Sequence, residues 1–252
     1  MNWQAPPKPA EVAESRLITA ILSGHFPIGQ SLPSERELAG QLGVTRPTLR
    51  EALQRMARDG WIDIQQGRPT RVQDFWREGN LGVLSGIARF PEHAPEEFVP
   101  NLLTIRLLMA PTYFRLAVEN DLQPVEALLR QIGNVDESPA SFAQADWRLH
   151  HRLTVLSGNP IFTLILNGFK QLYSQMALVY FELADARIHS RRFYGELLQA
   201  TTDQQYMLVE ELTRQVMSDS CELWLKAAGG QPFSELESRL NMFDELGADA
   251  GR

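Results

Sequence analysis

The sequence has almost no cysteine and no long apolar run. Cys221 is the single cysteine in 252 residues, so an intramolecular disulfide and a CxxC zinc site are both excluded. The longest apolar segment, Ile161 to Leu166, is far shorter than the roughly 18–20 residues that span a bilayer. The amino terminus also lacks the basic and then apolar pattern of a signal peptide. We therefore expect a cytoplasmic protein without a membrane partner.

Short catalytic motifs are absent as well. The sequence contains no GxSxG, no P-loop and no GxGxxG segment, which are the signatures of hydrolases, NTPases and dinucleotide-binding domains. The absence predicts that the protein is not an enzyme and uses no cofactor.

Positive charge is concentrated early in a chain whose net charge is −7. Residues 1–74 carry nine Lys and Arg against eight Asp and Glu, whereas residues 75–252 carry fifteen against twenty-three. Six arginines fall within residues 45–71. A local excess of cations favours contact with phosphate groups, so this segment predicts double-stranded DNA as a partner.

Residues 11–60 contain the signals of three helices. Apolar spacing predicts the first helix over 11–23. Ser34 with Glu37 three residues later predicts a capping box at the start of the second helix, which ends at Gly43. The third helix is expected to begin after Thr45 and to end at Gly60.

A predicted β-hairpin follows the third helix. Ile62 and Ile64 alternate with polar residues, the segment QQGRP favours a turn, and alternation resumes at Thr70 and Val72. Helix, helix, tight turn, helix and hairpin together predict a winged helix-turn-helix domain. We place this domain at residues 1–74, with a loose arm at 1–9.

Two short segments of this domain, and Arg36 at the start of the second helix, are positioned to contact DNA. The second helix of a helix-turn-helix lies in the major groove with its first residues at base edges, and arginine there can bond guanine. The wing supplies a glycine turn and an arginine that can bind phosphate or enter the minor groove. The predicted DNA-binding residues are Arg36, Thr45, Arg46, Pro47, Thr48, Arg50, Gln66, Gly67 and Arg68.

The rest of the chain predicts helices only. Residues 75–79 are expected to be a linker, and residues 80–228 to form an all-helical ligand-binding bundle, with six or seven helices between 77 and 228. Residues 229–252 are expected to form a tail with one short helix. The predicted fold class is therefore mainly α, a winged helix-turn-helix followed by a helical bundle.

The segment FPIGQSLPSERELAGQLGVTRPTLREALQRMARDGWIDIQQGRPTRV resembles the DNA-binding domain of the GntR superfamily of bacterial transcription factors. The resemblance rests on the motifs PIGQSLPSEREL, GVTR and LREALQRM. The remainder is similar to the fatty acid metabolism regulator type within that superfamily, through blocks such as ARDGW, DFW, NLLTIR and SGNPIFTLILNGFKQLY. The resemblance covers residues 11–228 and implies a homodimer on a palindromic operator.

The resemblance further implies long-chain acyl-CoA as the effector that releases the protein from DNA. It implies repression of fatty acid degradation genes and leaves open whether unsaturated fatty acid synthesis genes are activated as well. Helical spacing places several of the implied contacts on shared helix faces. The predicted acyl-CoA-binding residues are Leu102, Leu103, Arg106, Met109, His150, Tyr173, Tyr180, Tyr194, Arg214, Met217, Ser220 and Trp224.

The chain departs from the family pattern at Pro47, Gln66, His150 and Met217. Pro47 and Gln66 affect which operator sequence is read. Met217 stands in place of a glycine and either narrows the acyl tunnel or lines the chain, because methionine is flexible.

Two alternatives remain open from the sequence. One is a metal-dependent carboxylate sensor, because Asp146 and His150 are four residues apart and share a helix face. Tyr194 and Met217 stand where further histidine ligands would be needed, so no metal site is predicted. The other is an acyl-CoA hydrolase, which would need an activated nucleophile or water.

Overall fold

The computed structural model describes residues 8–90, 93, 95 and 98–227. The chain divides into two compact units, residues 1–94 and residues 95–252. Most of the predicted arm and the whole predicted tail at 229–252 lie outside the described residues. Within the arm, Lys8 is the N-cap of the first helix and Pro9 begins it.

The N-terminal unit is built from five helices and one hairpin among its described residues. They are α1 (Pro9–Leu22), α2 (Glu35–Leu42), α3 (Arg46–Asp59), β1 (Ile62–Asp63), β2 (Arg71–Val72), α4 (Phe75–Glu78) and α5 (Leu81–Ala88). Leu17 and Ile18 from α1 are buried, as are Leu49 and Met56 from α3. The apolar stripes of the helices thus form the core of this unit.

The predicted caps of α2 and α3 are confirmed. Ser34 Oγ accepts from the Glu37 amide, and the Glu37 carboxylate accepts from the Ser34 amide at 3.1 Å. Gly43 ends α2 in the left-handed conformation that glycine adopts without steric penalty. Thr45 Oγ1 accepts from the Thr48 amide at the start of α3. The short turn between α2 and α3 is therefore defined by local hydrogen bonds.

The wing hairpin is shorter than predicted. Ile62 pairs with Val72 and Asp63 with Arg71, in antiparallel register. Ile64 and Thr70 lie outside the strands, and Ile64 is exposed. The second strand instead gains a partner on its other side, because the Val72 amide donates to the Gln30 carbonyl at 2.8 Å.

Residues 75–88 belong to the N-terminal unit, in contrast to the predicted linker at 75–79 and bundle from residue 80. The Phe75 ring packs against Trp61, with 4.8 Å between ring centroids. Asn80 Nδ2 donates to the Arg58 carbonyl at 2.8 Å. These contacts attach α4 and α5 to the end of α3 and place the boundary near residue 94.

A buried carboxylate joins three segments of this unit. Glu14 of α1 is 7% exposed. Its Oε1 lies 2.9 Å from Arg89 Nη2, and its Oε2 lies 3.5 Å from Arg55 Nη1. The carboxylate therefore connects α1 to α3 and to the residue that follows α5.

The second unit is a bundle of seven helices in its described part, which contains no strand. They are α6 (Phe98–Asn120), α7 (Leu122–Ile132), α8 (Pro139–Leu156), α9 (Pro160–Gly168), α10 (Lys170–Glu182), α11 (Ala184–Thr202) and α12 (Tyr206–Ala227). Phe114, Phe142, Phe181 and Tyr194 are among the fully buried side chains of its core. Among the described helices, none combines the length and apolarity that crossing a membrane requires.

Candidate functional site

The start of α3 presents the predicted reading residues to solvent. Thr45, Arg46, Pro47 and Arg50 are exposed, and Thr48 is half-buried. The Thr45 and Thr48 hydroxyls lie 2.8 Å apart, so both are engaged at the cap. The arginines are therefore the long polar side chains that remain available for base edges.

Glu35, at the start of α2, lies beside two of these arginines. Arg50 Nε donates to Glu35 Oε2 at 2.8 Å, and Arg46 Nη2 lies 3.8 Å from the same oxygen. Arg46 and Arg50 remain 60% and 59% exposed. Arg36 is also exposed. The surface thus carries two arginines beside one carboxylate, with the exposed Arg36 next to Glu35 in sequence.

The wing tip is exposed and turns at a glycine. Gly67 has φ +75°, a conformation that L side chains rarely adopt, and a Cβ there would meet no neighbouring atom. Gln66 and Arg68 flank it and are exposed. Arg68 Nη1 donates to Gln65 Oε1 at 3.0 Å, a bond to a neutral partner that leaves its charge available.

The second unit contains a large cavity. The space between its walls that protein atoms do not fill is about 890 Å³, open solvent at its mouth included. Nine of the twelve predicted acyl-CoA residues line it: Leu102, Leu103, Arg106, Met109, His150, Tyr173, Tyr180, Ser220 and Trp224.

Three predicted residues do not line the cavity. Tyr194 is buried behind it, where its hydroxyl donates to Asp146 Oδ1 at 3.2 Å. Arg214 is exposed and pairs with Glu210 at 2.9 Å, because it lies six residues before Ser220 and so on another face of α12. Met217 is buried in the core, 3% exposed, and is not part of the cavity wall.

Other lining residues were not predicted from the sequence. They are Ile105, Tyr113, Asp146, Phe162, Ile165, Leu166, Phe169, Leu172, Met176, Ala177 and Phe181. Tyr113 could have been found, because it continues the α6 stripe of Arg106 and Met109 by one turn. The α9 residues could not have been found in this way. Their sequence shows that the segment is apolar, but it does not show which surface of the protein the segment faces.

A polar cluster interrupts the apolar wall. Arg106 Nη2 lies 3.4 Å from Asp146 Oδ2, 2.9 Å from His150 Nε2 and 3.3 Å from Tyr173 Oη. The Tyr173 hydroxyl donates to Asp146 Oδ2. The Tyr113 hydroxyl bonds His150 Nδ1. One cation, one carboxylate, one imidazole and, with Tyr194 on Asp146 Oδ1, three phenols therefore form a continuous network.

Burial controls the protonation of this cluster. It lowers the pKa of His150 to about 3, and the Arg106 charge acts in the same direction, so the ring is neutral at pH 7. Burial also raises the pKa of Tyr113 and of Tyr173, which keeps both phenols protonated. The imidazole and the phenols are therefore uncharged at neutral pH, and Arg106 is left paired with the Asp146 carboxylate.

The donors fix the tautomer of His150. A guanidinium only donates hydrogen bonds, so His150 Nε2 accepts from Arg106. The proton of the neutral ring is then on Nδ1 and points to the Tyr113 oxygen. Tyr113 accepts this bond, and its own hydroxyl proton remains available.

The metal-site alternative finds no further ligands in the described part of the chain. No group of three or more His, Cys, Asp and Glu side chains comes together there. Asp146 instead accepts hydrogen bonds from Arg106, Tyr173 and Tyr194.

A winged helix-turn-helix with exposed arginines, followed by a helical bundle that contains a cavity, defines the class of DNA-binding transcription regulators. Residues 9–72 match the family described as bacterial regulatory proteins, gntR family, and residues 73–232 match the FadR C-terminal domain. The chain belongs to the gntR family and is of the FadR type, a transcription regulator of fatty acid metabolism and not an enzyme.

Relatives agree with this assignment, and one solved structure shares the fold. The chain is 42% identical to the fatty acid metabolism regulator protein of Shewanella oneidensis, over 90% of this chain and 94% of the relative. It is 40% identical to that of Shewanella pealeana, over 89% and 94%. The structure of Lar, which controls expression of the Listeria monocytogenes agr system, aligns with a TM-score of 0.55 at 14% identity over 88% of this chain and 99% of that one. At that identity the likeness concerns the fold alone.

Proposed function

We propose that long-chain acyl-CoA is the effector of this regulator and that it releases a homodimer from a palindromic operator. The regulator represses genes of fatty acid degradation and, at other operators, activates genes of unsaturated fatty acid synthesis. The observation that supports the effector is a cavity whose wall is mainly apolar, in a chain of the FadR type. A wall of this kind suits an aliphatic chain.

The energetics of release are compatible with an acyl chain. Moving an operator-competent population from 99:1 to 1:99 requires about 5.5 kcal/mol of differential binding free energy. Each methylene that is buried contributes about 0.8 kcal/mol. About seven methylenes that are buried only in the released state would therefore suffice.

A fluorescence anisotropy experiment tests the proposal. The protein is titrated onto a labelled palindromic operator of a fatty acid gene, and oleoyl-CoA is then added, with citrate plus Zn²⁺ as a parallel arm. We expect micromolar oleoyl-CoA to release the DNA and citrate with Zn²⁺ to have no effect. Tight DNA binding that oleoyl-CoA leaves unchanged would refute the effector while keeping the DNA-binding function.

A matched pair of substitutions locates the effector. Met109 lines the cavity, and Met207 is 73% exposed on α12. Met109→Trp fills part of the cavity and should weaken the response to oleoyl-CoA at least tenfold, whereas Met207→Trp should leave it unchanged. Equal responses of the two variants would place the effector elsewhere. Light scattering of the free protein tests the homodimer.

A further inference from the structure

The polar cluster in the cavity wall has more hydrogen-bond donors than acceptors. Arg106 has five N–H groups, and within the described residues only its Nη2 has partners. Its Nε is buried without any partner. The Tyr113 proton adds a further donor, because the Tyr113 oxygen accepts from His150 Nδ1.

The acceptors of the cluster are already engaged. Asp146 Oδ2 accepts from Arg106 and Tyr173, and Asp146 Oδ1 accepts from Tyr194. The Arg106 side chain is 25% exposed, so water in the hydrated cavity can satisfy surplus donors other than the buried Nε. An unsubstituted acyl chain expels that water and offers no acceptor, which leaves buried donors unsatisfied at a cost in affinity.

The charge of the cluster decides which kind of oxygen fits. Arg106 is already neutralised by Asp146 at 3.4 Å, so a ligand carboxylate would bring an uncompensated negative charge beside Asp146. An uncharged hydroxyl or keto oxygen adds an acceptor without adding charge.

The depth of the cluster decides which part of the ligand reaches it. His150 and Tyr113 are 1% and 3% exposed, whereas Trp224 of the same cavity is half-buried. The phosphates of coenzyme A cannot be buried among apolar side chains without cationic partners, so they stay at the mouth. The part of the ligand that meets Tyr113 and His150 is therefore the acyl chain.

We propose that the cavity selects acyl chains that carry an uncharged oxygen, which accepts hydrogen bonds from Arg106 and Tyr113. This inference rests on the proposed function, since it specifies the effector of the same cavity. The oxygen replaces water on the surplus donors, so an oxygenated chain keeps the hydrogen bonds that a plain chain loses.

The test compares acyl-CoA pairs that differ by one hydroxyl. Calorimetric titration of the full-length protein gives the Kd of palmitoyl-CoA against β-hydroxypalmitoyl-CoA and ω-hydroxypalmitoyl-CoA, and of oleoyl-CoA against ricinoleoyl-CoA. The three hydroxyl positions sample the start, the end and the middle of the chain. We expect at least one hydroxylated chain to bind about tenfold tighter than its plain counterpart. Equal or weaker binding of all three would overturn the inference.

A double variant tests the residues. Tyr113→Phe with His150→Phe removes both partners of one hydrogen bond while keeping ring-shaped side chains, which preserves packing better than removing one partner alone. We expect the preference for the hydroxylated chain to fall to about threefold or less. Tyr206→Phe is the control, because the Tyr206 hydroxyl bonds Gln204 away from the cavity. A full preference in the double variant would overturn the inference, and thermal unfolding with operator binding verifies that the variant is folded.

Two further outcomes are distinguishable. Hexadecyl-CoA lacks only the thioester carbonyl of palmitoyl-CoA. If wild-type protein binds it about tenfold more weakly, and the double variant abolishes that difference while hydroxylated chains gain nothing, the donors serve the thioester and the inference is overturned. If no acyl-CoA binds at all, the proposed effector itself is wrong, whereas equal binding of plain and hydroxylated chains refutes only the inference.

Discussion

Glu35 Oε2 accepts a hydrogen bond from Arg50 Nε at 2.8 Å, so the first residue of α2 orients a side chain of the reading helix α3. Both side chains are substantially exposed, and ion pairs of this kind stabilise a fold by little. DNA can therefore replace Glu35 as the partner of Arg50 at low cost. If α3 enters the major groove as predicted, the same carboxylate brings a like charge toward the phosphates, which opposes binding where no specific base contact compensates for it.

Neutralising Glu35 is expected to reduce discrimination between DNA sequences. In Glu35→Gln, Arg46 and Arg50 lose their anionic neighbour, so affinity for random-sequence DNA should rise several-fold more than affinity for the operator. Anisotropy titrations on both DNAs measure the change. Glu51→Gln is the control, because it removes the same charge from α3 beside Arg55 and not beside the reading arginines. If both variants gained affinity equally for the operator and for random-sequence DNA, the effect would come from the net charge of the protein alone.

Arg46 and Arg36 are expected to act differently on DNA. Arg46→Ala removes a base reader and should cost about 1–3 kcal/mol on the operator, with little loss on random DNA. Arg50→Ala should behave similarly. Arg36→Ala should weaken binding to all sequences and reduce the slope of log affinity against log salt by about one. Equal loss on operator and random DNA for Arg46→Ala would contradict its role as a reader.

Stability should depend on pH through His150. Its pKa is about 3 in the folded protein, below the ordinary value near 6.5, so the unfolded chain binds the extra proton first as the pH falls. The contribution is fully present above about pH 6.5, and the free energy of unfolding then falls by up to about 1.4 kcal/mol per pH unit toward pH 3.

Urea unfolding between pH 7 and pH 4.5 measures this slope. His150→Phe has no group to protonate at this position, so its slope should be smaller than that of the wild type, even though its stability at pH 7 is lower. Identical slopes in the two proteins would exclude His150 as the cause.

Alanine substitutions at two glycines distinguish the stability cost of backbone strain from that of a steric clash. Gly43 and Gly60 both end helices with left-handed φ, +68° and +91°. A Cβ at Gly43 meets nothing within 4 Å, whereas one at Gly60 would lie 2.7 Å from the Gly79 Cα. Gly43→Ala should therefore cost about 1 kcal/mol of conformational strain, and Gly60→Ala should cost about 1–3 kcal/mol more because α4 must move. Equal costs in denaturant unfolding would argue against the close packing of residues 60 and 79.

The elements of the N-terminal unit are predictable where their signals are local. Ser34 and Glu37 bond each other although they are three residues apart, and Thr45 bonds Thr48 in the same way. The start of each helix is therefore determined by residues close together in the sequence. The wing is less predictable. Apolar and polar residues continue to alternate as far as Ile64, but this pattern does not show where the pairing of the strands ends. The domain boundary also depends on the packing of Phe75 on Trp61, a contact between residues distant in sequence.

The cavity is predictable only in part, because some of its residues share one helix face whereas others come from helices distant in sequence. Helical periodicity places Arg106 and Met109 on one face of α6, and the family resemblance marks that face as ligand-binding. Periodicity cannot show that Phe162 of α9 lies opposite, nor that Met217 is turned into the core. The polar network around Asp146 joins α6, α8, α10 and α11, and no single segment of sequence contains it.

The Glu14 carboxylate connects parts of the N-terminal unit through ion pairs, in addition to the apolar packing of its helices. Arg89 follows α5 only a few residues before the unit ends, and it is bonded to the same side chain that contacts Arg55 of α3. A displacement applied at Arg89 must either break a bond to a buried carboxylate or move α1 and α3 with it. One buried carboxylate therefore links α3, whose first residues are the predicted DNA contacts, to the residue that follows α5.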